Sequence, residues 1–143
     1  MTSKDSGAPT VALISLGCPK NLVDSEKLLG TLAERGFVPT DESAKPDVLV
    51  VNTCSFIGSA QKESETAIEK ALADKRRGRV RGVVVAGCHA QRFGQTLAER
   101  FPGIDAIVGV SAFADIAEAA RAALARSEDS KEAEQKTWIQ LHP

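Results

Sequence analysis

The 143-residue sequence has no apolar run longer than a few residues, far short of the roughly 20 needed to span a bilayer. Its polar start, MTSKDSGAPT, lacks the apolar core of a signal peptide. A soluble, cytoplasmic chain with no membrane partner is expected. Charge of one sign is also missing: 18 basic and 19 acidic residues leave a formal net charge of -1. No overall field draws such a chain to nucleic acid, and no direct nucleic-acid readout is expected. Cysteine is scarce, with three residues and no CxxC pair among them. Three thiols cannot pair completely and nothing suggests export, which argues against a disulfide framework and leaves free thiols or metal ligands. What is present is 43% apolar content, enough to bury the core of one domain.

Apolar, β-branched stretches recur between amphipathic ones. TVALISL (Thr10 to Leu16), DVLVVNT (Asp47 to Thr53), GVVVAG (Gly82 to Gly87) and IDAIVGV read as buried strands. The intervening NLVDSEKLLGTLAERG, QKESETAIEKALADKRR and AQRFGQTLAERF read as helices, the first with Asn21 as N-cap and Gly36 at its end. FVPT is a candidate edge strand, and Ser111 is placed to cap an Ala-rich helix running to about Arg126. Strands alternating with helices imply crossover connections. The expected fold is therefore an open, mainly parallel α/β sheet with helices on both faces, flavodoxin-like or Rossmann-like. Residues 1–9 read as a disordered tail, 10–125 as the domain and 126–143 as a linker or tail, with WIQLHP at its end unassigned.

Cys18, Cys54 and Cys88 each fall in a strand-to-helix loop, 36 and 34 residues apart. In a parallel sheet all such loops share the carboxyl edge, where ligands bind. Each thiol also precedes a helix, whose free N–H groups and dipole favour the thiolate. Gly17 and Gly87 allow the backbone to approach a bulky group closely. The same residues equally suit small buried hydrophobes near strand ends. A zinc site of three cysteines with His89 or His142 is a weaker option, because His89 adjoins Cys88. A Cys88–His89 nucleophilic pair has the same geometric difficulty.

The segments SLGCPKNLVDSE (Ser15 to Glu26), VVNTCSFI (Val50 to Ile57) and AGCHAQRF (Ala86 to Phe93) resemble, in order, the N-terminal domain of the radical-SAM methylthiotransferases. GCPKNLVDSE is most similar to the branch that modifies an aspartate of a small-subunit ribosomal protein. The resemblance implies that Cys18, Cys54 and Cys88 hold an auxiliary 4Fe-4S cluster that supplies sulfur. It also implies a following domain in which S-adenosylmethionine and a second 4Fe-4S cluster generate the radical. This chain has no CxxxCxxC for that second cluster. No catalytic residue is therefore expected in it, and the isolated chain should be inactive without its own radical-SAM domain. The implied partners are that domain and the ribosomal protein or ribosome. A tRNA methylthiotransferase is the alternative within the chemistry, and a cluster-free α/β interaction module the alternative outside it.

Around the cysteines, Asn52 and Thr53 are candidate braces for the cluster loop through side-chain hydrogen bonds. Asn21 lies with Asp24, Ser25 and Glu26 at the start of the first helix, where capping and first-turn acidic residues explain them better than direct function does. Arg92, near Gln91, offers a cation to the same edge or is simply a surface residue. KRRGRVR (Lys75 to Arg81) is the one concentrated basic run. It belongs to the opposite, amino edge and reads as a solvated helix end, with ribosome docking as the sharper reading.

Overall fold

The computed structural model describes residues 8–16, 19–53, 58–109, 114–128 and 138–140. Strand β1 (Thr10–Ser15) is followed by helix α1 (Pro19–Glu34), strand β2 (Val38–Pro39), strand β3 (Val48–Thr53) and helix α2 (Gly58–Arg76). Strand β4 (Gly82–Gly87), helix α3 (Cys88–Arg100), strand β5 (Ala106–Gly109), helix α4 (Ile116–Glu128) and strand β6 (Trp138–Gln140) complete the order. The strands lie in the order β2-β1-β3-β4-β5-β6, and every adjacent pair is parallel. The expected open α/β sheet is present. Its first five strands follow the flavodoxin-like 2-1-3-4-5 order rather than the 3-2-1-4-5-6 order of the Rossmann type.

Strands buried on both faces need apolar residues at every position rather than at alternate ones. All six residues of β3 and all six of β4 are buried accordingly. On one face α1 and α4 set Leu28, Leu32, Ile116 and Ala120 against Val48, Val50 and Val84. On the other, α2 and α3 set Ile68, Ala71 and Leu97 against Leu49, Val51 and Val85. Leu28 and Leu32, one helical turn apart, are both fully buried, and each such burial contributes roughly 1.5–3 kcal/mol.

The return from β2 to β3 contains only a 3-10 turn, Glu42–Ala44. The register explains why no helix is needed. Pro39 and Val48 both pair with Val11, so the chain crosses β1 without climbing along the sheet. Pro39 is tolerated because β2 is an edge strand.

Three expectations change. Helix α1 begins at Pro19, so Asn21 lies inside its first turn rather than at its N-cap. Proline suits a first helical position, because its fixed φ is already helical and its missing N–H would be unpaired there. Helix α4 continues to Glu128, and Trp138–Gln140, within the segment read as linker or tail, extends the sheet as β6. Within KRRGRVR, Lys75 is no solvated cation: its Nζ lies 2.8 Å from Asp105 Oδ1 and 2.9 Å from the Gly103 carbonyl. Arg76, Arg77 and Arg79 are exposed. Ser111 lies outside the described residues. No described helix is long and apolar enough to cross a membrane.

Candidate functional site

The register sets the carboxyl ends of three neighbouring strands at one level. Ser15 of β1 pairs with Asn52 of β3, and Asn52 pairs with Ala86 of β4. One step further Thr53 pairs with Gly87, and Gly87 with Gly109 of β5. The β1–β3 ladder is prolonged by Leu16 N–H, which donates to the Asn52 carbonyl at 3.2 Å. In sequence Cys54 follows Thr53, Cys88 follows Gly87, and Cys18 comes three residues after Ser15. Neighbouring strands in a sheet lie about 4.8 Å apart. Cys18 and Cys54 lie outside the described residues. Cys88 is described in its backbone, as the first residue of α3, but not in its side chain.

The two residues before Cys54 point to opposite faces, as successive strand residues must. Asn52, fully buried, donates from Nδ2 to Ser25 Oγ of α1 at 2.9 Å. Thr53, also fully buried, donates from Oγ1 to the Ala86 carbonyl at 2.6 Å and accepts from Ala90 N–H at 3.3 Å. That second bond supplies a helix cap from another strand. The N-cap residue of α3 is Gly87, which has no side chain to offer, and Thr53 takes its place for an amide of the first turn.

Gly87 has φ 102° and ψ -163°, a region essentially confined to glycine that costs other residues roughly 1–3 kcal/mol. A Cβ there would lie 2.5 Å from the Thr53 carbonyl oxygen and 2.6 Å from Asn52 Oδ1. Only glycine fits. The sequence assigned Gly87 to a tight turn and to close approach to a bulky group; the close neighbours seen at this corner are Thr53 and Asn52 of β3.

Behind the turn, the His89 ring is 2% exposed and lies 5.0 Å from the Phe93 ring, centroid to centroid. Its Nε2 is 3.6 Å from Glu65 Oε2, longer than a hydrogen bond, and neither ring nitrogen has a hydrogen-bond partner among the described residues. Burial lowers its pKa below 6.5, more strongly than the nearby Glu65 carboxylate raises it. Burial thus favours the neutral form of the ring. Arg100 pairs with Glu65 at 3.0 Å, and these groups with Phe93, Thr96 and Leu97 line a cavity of about 190 Å³. Helix α3 departs from helical geometry at Phe93. Arg92 is exposed, its guanidinium 5.1 Å from the Phe93 ring centroid. Asn21 is described only as backbone of α1, and His142 lies outside the described residues.

Sequence reasoning missed two relationships here. Ser25 was read as part of a helix start, yet it is the partner of Asn52. The Glu65–Arg100 pair beside His89 was not singled out at all. Neither leaves a local signal, since each partner is supplied by a helix remote in sequence.

Among the described residues no three of His, Cys, Asp and Glu gather around a common point to hold a metal. In sequence the three cysteines follow strand ends that the register levels, and three thiolates are a donor set whose chemistry suits an iron-sulfur cluster.

Residues 10–109 match the Uncharacterized protein family UPF0004. The chain is 47% identical over 116 residues to a ribosomal protein uS12 methylthiotransferase RimO of Desulforamulus reducens, covering 81% of this chain and 26% of that protein. A protein of the same name from Symbiobacterium thermophilum is 47% identical over 121 residues, covering 84% and 25%. One from an Anaeromyxobacter species is 48% identical over 110 residues, covering 77% and 24%. The chain thus spans about a quarter of the length of these relatives. They agree with the resemblance carried by the three cysteine segments, and the chain belongs to the Uncharacterized protein family UPF0004, with methylthiotransferases as its relatives.

Proposed function

We propose that this chain holds a 4Fe-4S cluster through Cys18, Cys54 and Cys88 and serves as the sulfur-supplying domain of a methylthiotransferase acting on ribosomal protein uS12. The observation that carries the reading is the register, which levels the carboxyl ends of β1, β3 and β4 on adjacent strands. The names of the relatives support the substrate, and the motif GCPKNLVDSE supports an aspartate of that protein as the residue modified.

Three thiolates on a four-iron cluster leave one iron open to an exogenous sulfur species, which is the chemistry such a group supplies when bound. The chain's own contribution is to deprotonate and orient the ligands. The amino end of α3, at Cys88, presents peptide N–H groups and a positive dipole end that favour a thiolate. Arg92, exposed on α3 one turn beyond Cys88, adds a cation against the negative charge of the ligand set. S-adenosylmethionine and a second cluster belong to a radical-SAM domain outside this chain, and the ribosomal substrate places the work in the cytoplasm.

Anaerobic reconstitution with iron and sulfide tests the reading. The expected product is brown, with about four irons per chain for a complete cubane, and Cys54→Ala loses both colour and iron. A wild-type chain that stays colourless and iron-free overturns it.

A further inference from the structure

We propose that Asn52 and Thr53 are positioning residues that act as a two-sided clamp, fixing the spacing of the three cysteine-bearing loops. The proposal rests on the cluster reading for its purpose and on hydrogen bonds for its geometry. Asn52 ties the end of β3 to α1, the helix that follows Cys18, through the 2.9 Å bond to Ser25. Thr53 ties the same strand end to α3, the helix that begins at Cys88, through Ala90 N–H and the Ala86 carbonyl. Cys54 is the next residue. One dipeptide thus joins all three ligand segments, and it does so through both faces of the sheet.

The bonds are buried. Asn52 and Thr53 are fully inaccessible and Ser25 is nearly so, so water does not compete for them. Gly87 completes the clamp, because its Cα side lies directly against the Thr53 carbonyl and Asn52 Oδ1. The α3 turn cannot close further onto β3. It cannot move away without breaking the Thr53 bonds. Partners that orient metal ligands from outside the coordination sphere are worth 10- to 100-fold in metal retention, an order-of-magnitude range.

The test compares Thr53→Val, which keeps shape and removes the hydroxyl, with Thr53→Ser, which restores it. Ser25→Ala loosens the opposite face and leaves Thr53 intact. Each 143-residue chain is reconstituted anaerobically, and two quantities are read: iron loss to a chelator with the reduced-cluster EPR spectrum, and Cys54–Cys88 disulfide formation in the apo chain under diamide. Thr53→Val should lose iron about tenfold faster with a changed spectrum, and its disulfide should form several-fold more slowly. Thr53→Ser should match wild type, and Ser25→Ala should shift iron loss in the same direction by less.

If wild type binds no iron while disulfide formation still depends on the Thr53 hydroxyl, the cluster reading fails and the clamp stands. If wild type binds its irons and Thr53→Val matches it in iron loss, spectrum and disulfide rate, the clamp is overturned. Should Thr53→Val fail to fold, Ser25→Ala decides: an unchanged rate of iron loss overturns the clamp and a faster one supports it.

Discussion

The ammonium of Lys75 lies 2.8 Å from Asp105 Oδ1, while Oδ2 of the same fully buried carboxylate accepts the Val83 N–H at 2.9 Å. A helix end, a strand and the residue before the next strand are thereby joined at the amino edge, opposite the cysteine loops. This makes Lys75 structural within the basic run, while Arg76, Arg77 and Arg79 stay exposed.

Removing the Lys75 charge should therefore be costly. Lys75→Met leaves a buried carboxylate without its cation, and about 3 kcal/mol of stability should be lost; the low end of the usual range applies because Lys75 stays 24% exposed. Arg77→Ala, two positions on, should change stability by less than about 0.5 kcal/mol. Urea unfolding of the two variants checks the contrast, and equal losses would contradict it.

Gly87→Ala should cost about 3 kcal/mol, adding the backbone penalty of a glycine-only conformation to an overpacking penalty. The added methyl has no flexible neighbour to displace, since it meets the Thr53 backbone and a buried amide oxygen. The same denaturant titration measures it. A near-neutral result would mean that the β3–α3 corner yields more readily than the geometry indicates.

His89→Leu should stabilise the metal-free chain by about 1 kcal/mol at neutral pH. The substitution removes two buried ring nitrogens that have no hydrogen-bond partner among the described residues and keeps an apolar side chain against Phe93. A drop in melting temperature would show that the imidazole carries an interaction of its own within the cavity.

Deleting residues 129–143 should promote self-association. Strand β6 covers the edge of β5, and an uncovered apolar strand edge is a template for pairing with another chain. Light scattering should show the truncated chain heavier than the intact one at equal concentration. Equal masses would show that β6 does not protect that edge.

Much of this fold was legible because its strands announce themselves. GVVVAG, bounded by glycines, gave the limits of β4 to the residue, and the βα alternation gave a parallel sheet. Strand order was not legible, since buried β-branched strands carry no label for their neighbours. Trp138–Gln140 was missed because three residues hold no periodicity. Asn21 misled because it is a good capping residue standing just after a better helix opener, Pro19. The loop positions of the cysteines could be read from strand ends alone. Ser25 against Asn52, and Glu65 beside His89, could not, because tertiary packing alone brings them together.

The alternation of side chains along β3 gives the site a parity. Val48, Val50 and Asn52 share one face, and Leu49, Val51 and Thr53 the other. Adjacent positions are thus the shortest stretch of chain that can reach both helix layers at once. A one-residue insertion within the strand would turn the amide toward α3 and the hydroxyl toward α1, taking each from its present partners. A two-residue insertion would keep the faces and only displace the level. The reading frame of the strand, as much as the identity of its last two residues, is part of what the sequence encodes here.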